Sequence, residues 1–141
     1  MIRAATPSDG VELVPLLEQL GYPTPPTELE ARLERLLASQ DAGALVAELD
    51  GRILGVATFH VFHLIYRPLP HCRLTALVMS SDHRRRGIGA ALVAAVESQA
   101  IERGCFRLEL TTRPGRGEAV AFYAALGFSE RPHRLVKSLA R

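Results

Sequence analysis

Residues 77–90 constrain the fold more than any other stretch of this 141-residue chain. Leu77-Val78-Met79 is an apolar run suited to a strand, and Ser80 to Arg86 is a polar, basic turn. Gly87-Ile88-Gly89-Ala90 then opens an apolar-periodic stretch that runs to Arg103. Strand, turn and helix in that order set the free N–H groups of a helix's first turn, and the positive end of its dipole, beside a strand's end. Such a place suits an anion. Gly87 and Gly89 carry no Cβ, so a phosphate can approach the main chain closely there. Arg84, Arg85 and Arg86 add fixed positive charge to the same turn.

The turn is neither a P-loop, G-x-x-x-x-G-K-[ST], nor a dinucleotide fingerprint, G-x-G-x-x-G. A nucleic-acid patch is the other reading of three adjacent arginines. The formal net charge is only +2 and no stacking aromatics are interleaved with them, so nucleic acid is not expected as a partner. Charged residues make up 23% and hydrophobic ones 48%, the balance of a globular chain with a substantial core. The two cysteines, Cys72 and Cys105, lie in apolar strand-like runs and read as buried, reduced thiols, with no disulfide framework and no metal site. With no signal peptide and no apolar run of transmembrane length, a cytoplasmic protein without membrane contact is expected.

The rest of the chain alternates helical and strand-like patterns without an internal repeat. Met1 to Ala5 suits an edge strand, and Thr6-Pro7-Ser8-Asp9 a turn with good N-cap residues. Leu13, Leu16, Leu17 and Leu20 recur at helical spacing up to Gly21, a natural C-cap, although Pro15 implies a late start or a kink. Thr27 and Glu30 form a capping box for a second helix with the stripe Leu29, Leu33, Leu36 and Leu37. Ala44 to Leu49, Asp50-Gly51 and Arg52 to His63 predict a hairpin with a type I′ turn. Cys72 to Met79 follows as a strand. After the helix closed by Gly104, Cys105 to Thr112 predicts a strand with Phe106, Leu108 and Leu110 on one face and Arg107, Glu109 and Thr111 on the other. Glu118 to Leu126 predicts a short helix capped by Gly127, and Leu135 to Leu139 a last short strand. The pattern is a mixed α/β layer architecture in one domain, residues 1–141.

Arg84-x-x-Gly87-x-Gly89-Ala90 resembles the R/Q-x-x-G-x-G/A signature of the GNAT superfamily of acetyl-CoA-dependent N-acetyltransferases. Leu77 and Met79 fall where that family's splayed strand pairs with the pantetheine arm. Ala119 to Phe128, A-V-A-F-Y-A-A-L-G-F, resembles the family's A-x-x-F-Y-x-x-x-G-F segment. The resemblance spans essentially the whole chain. It implies a central, mostly antiparallel twisted sheet flanked by helices and splayed at the cofactor strand. It also implies acetyl-CoA as cosubstrate, a primary amine of a small molecule or peptide as acceptor, and room for a homodimer. The cofactor-binding set it implies is Leu77, Val78, Met79, Arg84, Arg85, Arg86, Gly87, Ile88, Gly89 and Ala90, with Arg116 and Tyr123.

Direct attack of an amine on a thioester needs a bound cosubstrate, a neutral amine, and a donor for the departing sulfur or the oxyanion. Tyr123 stands at the family's tyrosine position, where the phenol serves as general acid. Glu109 is the leading base, anchoring an ordered water path. It points away from the core face of its predicted strand, where a carboxylate is costly unless solvated or used. His60, His63 and His71 are the other candidates. The chain departs from the family pattern in having Arg85 where glycine is frequent, Arg116 seven residues before the tyrosine where asparagine is common, and Ser80-Ser81 in place of a proline. A non-catalytic module that binds acyl-CoA and regulates a partner is the alternative from another class.

Overall fold

The computed structural model describes residues 1–83, 87–112, 117–131 and 134–139. They fall into two compact units, Met1–Thr111 and Thr112–Arg141. The first holds a five-stranded sheet in sequence order: β1 (Ile2–Ala4), β2 (Ala42–Leu49), β3 (Arg52–Phe62), β4 (His71–Met79) and β5 (Arg107–Glu109). Neighbouring strands are antiparallel except β4 and β5, which are parallel. Helices α1 (Gly10–Leu20), α2 (Pro26–Ala38) and α3 (Ile88–Glu102) complete the unit, and α4 (Gly117–Ala125) belongs to the second.

Asp50 (φ 51°) and Gly51 (φ 75°) both occupy the left-handed region, as a type I′ turn demands, so the β2–β3 hairpin forms where its Asp-Gly pair places it. Two bulges then set which residues share a face. On β3 the register slips between Ala47↔Gly55 and Glu48↔Ile53, and on β4 between Thr58↔Ala76 and Phe59↔Leu74, leaving Leu54 and Thr75 as the extra residues. On one face Val46, Val56 and Val78 stack across three strands and pack with Leu13 and Leu16 of α1 and Leu29 and Leu33 of α2. On the other face Gly55 lies under Ile88 and Leu92 of α3, and any Cβ at Gly55 would sit 3.0 Å from Leu92 Cδ1. Helix α3 buries the stripe Gly89, Leu92, Val93, Val96 and Ala100.

Several local expectations hold. Gly21 ends α1 in the left-handed conformation (φ 102°), with Gly21 N–H donating to Glu18 O and Tyr22 N–H to Leu17 O. Pro15 sits inside α1, which begins at Gly10, so the helix does not start late. Gly127 (φ 97°) closes α4, Phe128 N–H donates to Tyr123 O, and the two rings pack edge to face.

Four expectations are corrected. Thr27 is not an N-cap: α2 starts at Pro26 with Pro25 extended before it (φ −61°, ψ 145°), because a residue preceding proline is driven from the helical region while proline suits the first helical position. The strand predicted over 105–112 is only Arg107–Glu109. Its ladder to β4 ends at Arg73↔Glu109, just before the bulge at Thr75, where the two strands part. No strand forms at Leu135 to Leu139; Leu135, Val136 and Leu139 are exposed, and among the described residues no strand pairs with them. Cys72 is fully buried, but Cys105 is only half-buried at the end of the α3–β5 turn.

Candidate functional site

Helix α3 begins at the far end of β4. Its N-cap, Gly87, is left-handed (φ 77°), and its carbonyl accepts the N–H of Ala91. The N–H groups of Ile88, Gly89 and Ala90 therefore have no acceptor within the helix and carry the positive end of its dipole. Gly89 is buried in that first turn. Arg84, Arg85 and Arg86 lie outside the described residues.

The edge of β4 leading to this turn is open. Among the described residues no strand pairs with β4 beyond Arg73 on the side away from β3. Ser80 N–H donates to Leu54 O, so by the two-residue period the backbone of Val78 also faces β3 while that of Leu77 and Met79 faces the open edge. The Val78 side chain is buried in the α1/α2 core, and Leu77 and Met79 are half-buried. Gln19 of α1 steadies the corner: its Nε2 donates to Met79 O (3.1 Å) and its Oε1 accepts from Ser81 N–H (3.3 Å). The open edge from Thr75 to Ser80 is about 17 Å long, and it leads from the bulge toward the start of α3.

At the bulge, on the sheet face that carries α1 and α2, His60, Arg73 and Thr75 are exposed. Ala42, His60, Arg73 and Glu109 are successive cross-strand partners on β2, β3, β4 and β5, so the four share that face. Arg73 donates from Nε (3.1 Å) and Nη2 (2.6 Å) to Glu109 Oε1. His71, one pair further along, is buried between the rings of Phe62 and Phe106, with Nδ1 3.9 Å from Glu109 Oε2. Its Nε2 is buried and without a hydrogen-bond partner among the described residues. Of the predicted base candidates the fold thus gathers Glu109, His71 and His60 onto one face. His63 is exposed beyond the end of β3 and does not join them.

Tyr123 lies in α4 of the second unit, half-buried, with Phe122 and Phe128 packed edge to face on its ring (centroids 5.0 and 5.5 Å). Burial pushes its phenol above the ordinary tyrosine value. Arg116 lies outside the described residues. Burial also raises both thiols, Cys72 to about 11, so neither is poised as a nucleophile at neutral pH. Among the described residues no cluster of histidines, cysteines and carboxylates could hold a metal ion, and no helix is long and apolar enough to cross a membrane.

Sequence reasoning passed over Arg73, Thr75, Phe62 and Gln19. The first three sit on the open face only because of the two bulges, and Gln19 acts across 60 residues of chain through its amide alone.

Residues 12–128 match the model of the Acetyltransferase (GNAT) family. An aminoglycoside N(6′)-acetyltransferase type 1 of Stenotrophomonas maltophilia is 29% identical over 133 residues, which is 92% of this chain and 86% of that one. A transcriptional regulator from Bacillus halodurans superposes with a TM-score of 0.87 at 26% identity, over 99% of both chains. A GNAT family acetyltransferase of Staphylococcus aureus has the same fold, with a TM-score of 0.85 at 22% identity over 99% of this chain and 98% of that one.

Proposed function

The chain belongs to the GNAT family of acetyltransferases and is an acyltransferase enzyme, and from that premise we propose that it transfers the acetyl group of acetyl-CoA directly to a primary amine of a small molecule or peptide, with residues 1–141 working as one domain. The observation that carries this reading is that the open β4 edge leads toward the N–H groups at the start of α3 that have no acceptor within the helix. A long ligand that is amide-bearing at one end and a pyrophosphate at the other matches that sequence of donors and acceptors. The Leu77 and Met79 backbones would hydrogen-bond the amides. Ile88, Gly89 and Ala90 would donate to the pyrophosphate, with Arg84, Arg85, Arg86 and Arg116 supplying positive charge. Acetyl-CoA brings the activated thioester; the chain supplies binding, orientation and proton handling.

Glu109 is the group proposed to take the amine's proton, through an ordered water. Arg73 fixes the carboxylate from one side, and His71 stands behind it. Tyr123 is the proposed donor to the departing sulfur. A phenol near ~10 is a weaker acid than a thiol near ~8.5, and burial weakens it further, so its contribution is a hydrogen bond more than complete transfer. The acetyltransferase relative acts on an aminoglycoside by its name, which supports including aminoglycosides among the amines tested first. The Bacillus halodurans neighbour is named a transcriptional regulator, which favours the second reading, a module that binds acyl-CoA and regulates a partner. Screening a panel of primary amines for release of free CoA separates the two. Turnover that falls ~10²-fold in Tyr123→Phe with KM for acetyl-CoA retained, and falls in Glu109→Gln, is the expected result. Tight acetyl-CoA binding without CoA release from any amine would favour the module.

A further inference from the structure

We infer, building on the acetyl-transfer reading, that the acceptor cleft selects amines that also carry an anionic group, a carboxylate or a phosphate. Two adjoining clefts open on the sheet face that carries α1 and α2, of about 340 and 290 Å³, and they share His60. The first is lined by Phe62, Arg73 and Thr75 beside His60, at the bulge where the open β4 edge begins. The second runs under the last turns of α2 and is lined by Arg32 and Arg35 among others. Among the described residues neither is lined by an aspartate or a glutamate.

The arginines differ in how much of their charge is free. Arg32 donates Nη2 to Glu28 at 2.5 Å. Arg73 spends Nε and Nη2 on a single oxygen of Glu109, which leaves Nη1 without a partner among the described residues. Arg35 is exposed and has no ion pair or hydrogen bond among the described residues. Among the described residues the carboxylates bonded to cleft arginines, Glu109 and Glu28, are thus matched by Arg73 and Arg32, and the guanidinium left without an ion pair is that of Arg35. A second ammonium on the acceptor would meet the unpaired Arg35 guanidinium there. A carboxylate or phosphate would accept from Arg35 and from the free edge of Arg73, with the imidazole of His60 between the two elements that carry them. An anion held in the second cleft leaves the amine end of the molecule in the first, beside Thr75 and Glu109. The cleft thus sets a spacing between the two groups.

The test compares kcat/KM for matched acceptors: 4-aminobutyrate, butylamine and 1,4-diaminobutane, with phosphoethanolamine against ethanolamine as the phosphate arm. The anionic member of each set should exceed its neutral and cationic partners at least tenfold, and the advantage should shrink as salt is raised. The ratio between the two arms tells carboxylate from phosphate. Arg35→Glu, a change on an exposed helix face, should reverse the order of 4-aminobutyrate and diaminobutane. A binding readout stands apart from turnover: 4-acetamidobutyrate titrated into the CoA-saturated protein should shift the backbone amide signals of Arg35, His60 and Thr75, and Arg35→Glu should abolish those shifts. Acetylation of all three four-carbon amines without anionic preference, or shifts unaffected by Arg35→Glu, would overturn the inference and leave acetyl transfer intact. Anion-dependent shifts in a protein that acetylates no amine would instead overturn acetyl transfer and leave the cleft's charge selection standing.

Discussion

Gly55 links packing to the proposed cosubstrate site. It faces α3, and an added Cβ would lie 3.0 Å from Leu92 Cδ1, 3.2 Å from Ile88 Cγ2 and 3.2 Å from the Val78 carbonyl oxygen. The two side chains can yield by a few tenths of an ångström, but the carbonyl belongs to the β4 backbone. Overpacking of this kind costs about 1–3 kcal/mol, and replacing glycine by alanine in a strand returns roughly 0.5–1, so Gly55→Ala should lose up to about 2.5 kcal/mol. The strain is relieved by moving the first turn of α3, since Ile88 opens the helix. That turn carries the N–H groups that have no acceptor within the helix. A misplacement of about 1 Å can cost ~10²-fold in rate, so a shift of a few tenths should weaken acetyl-CoA binding about threefold to tenfold. Gly43→Ala is the control. It drives a Cβ into the Phe59 ring, 2.7 Å from Cε1, on the same sheet face but away from the start of α3. Urea unfolding would measure the stability of each variant, and calorimetry at a urea-free, fully folded condition would measure acetyl-CoA affinity. Gly55→Ala should lose both; Gly43→Ala should lose stability alone. Equal affinities in two folded variants would refute the argument that α3's first turn positions the ligand.

Gly89→Val places a branched side chain in the buried first turn of α3 and should weaken acetyl-CoA binding at least tenfold, about 1.4 kcal/mol, by calorimetry on a variant of native circular dichroism. Because burial raises the Tyr123 phenol, it stays protonated past its ordinary value, and the kcat profile should show no descending limb below pH ~10 that disappears in Tyr123→Phe. The Arg3 guanidinium, bonded to both Asp9 oxygens at 2.9 and 3.0 Å, holds that carboxyl below its ordinary value. Its contribution to stability is present above the unfolded-state value near ~4 and is lost as pH falls through the lower folded value. Asp9→Asn should therefore be destabilised by about 1–3 kcal/mol at pH 7, and urea midpoints measured from pH 7 to pH 2 should converge with wild type at the acid end.

The parts of the fold that were legible in the sequence are those decided within a few residues. Asp50-Gly51 fixes a hairpin because two successive left-handed residues admit few alternatives, and Gly21 and Gly127 end their helices for the same reason. The Gly87-x-Gly89 turn was legible too, since a strand followed by a helix leaves its N–H groups nowhere else to point. The strand over 105–112 was overextended because apolar alternation reports which faces are sheltered, and not how far a neighbouring strand continues. Thr27 fits a capping box, yet Pro25 and Pro26 fix the backbone before any side-chain bond can.

The open face shows why the site itself was less legible. An uninterrupted hairpin from Leu49↔Arg52 would set Ala42 opposite Phe59; the extra residue Leu54 sets it opposite His60 instead. A slip of one residue exchanges the two faces of a strand. Without that bulge Phe59 would face α2, and His60 would enter the α3 core, where Gly43 leaves space for the Phe59 ring. Thr75 makes the same exchange on β4, and the extra residue brings Arg73 level with His60 and Glu109. Burial on both faces hides the shift, because Ile53 to Ala57 read as one continuous apolar run with no period of two. Chemistry-bearing residues at 60, 73 and 109 are thus united by two insertions whose only sequence traces are an extra leucine and an extra threonine. Deleting Leu54 should return the hairpin to its unbulged register and take His60 off the face that Arg73 and Glu109 occupy.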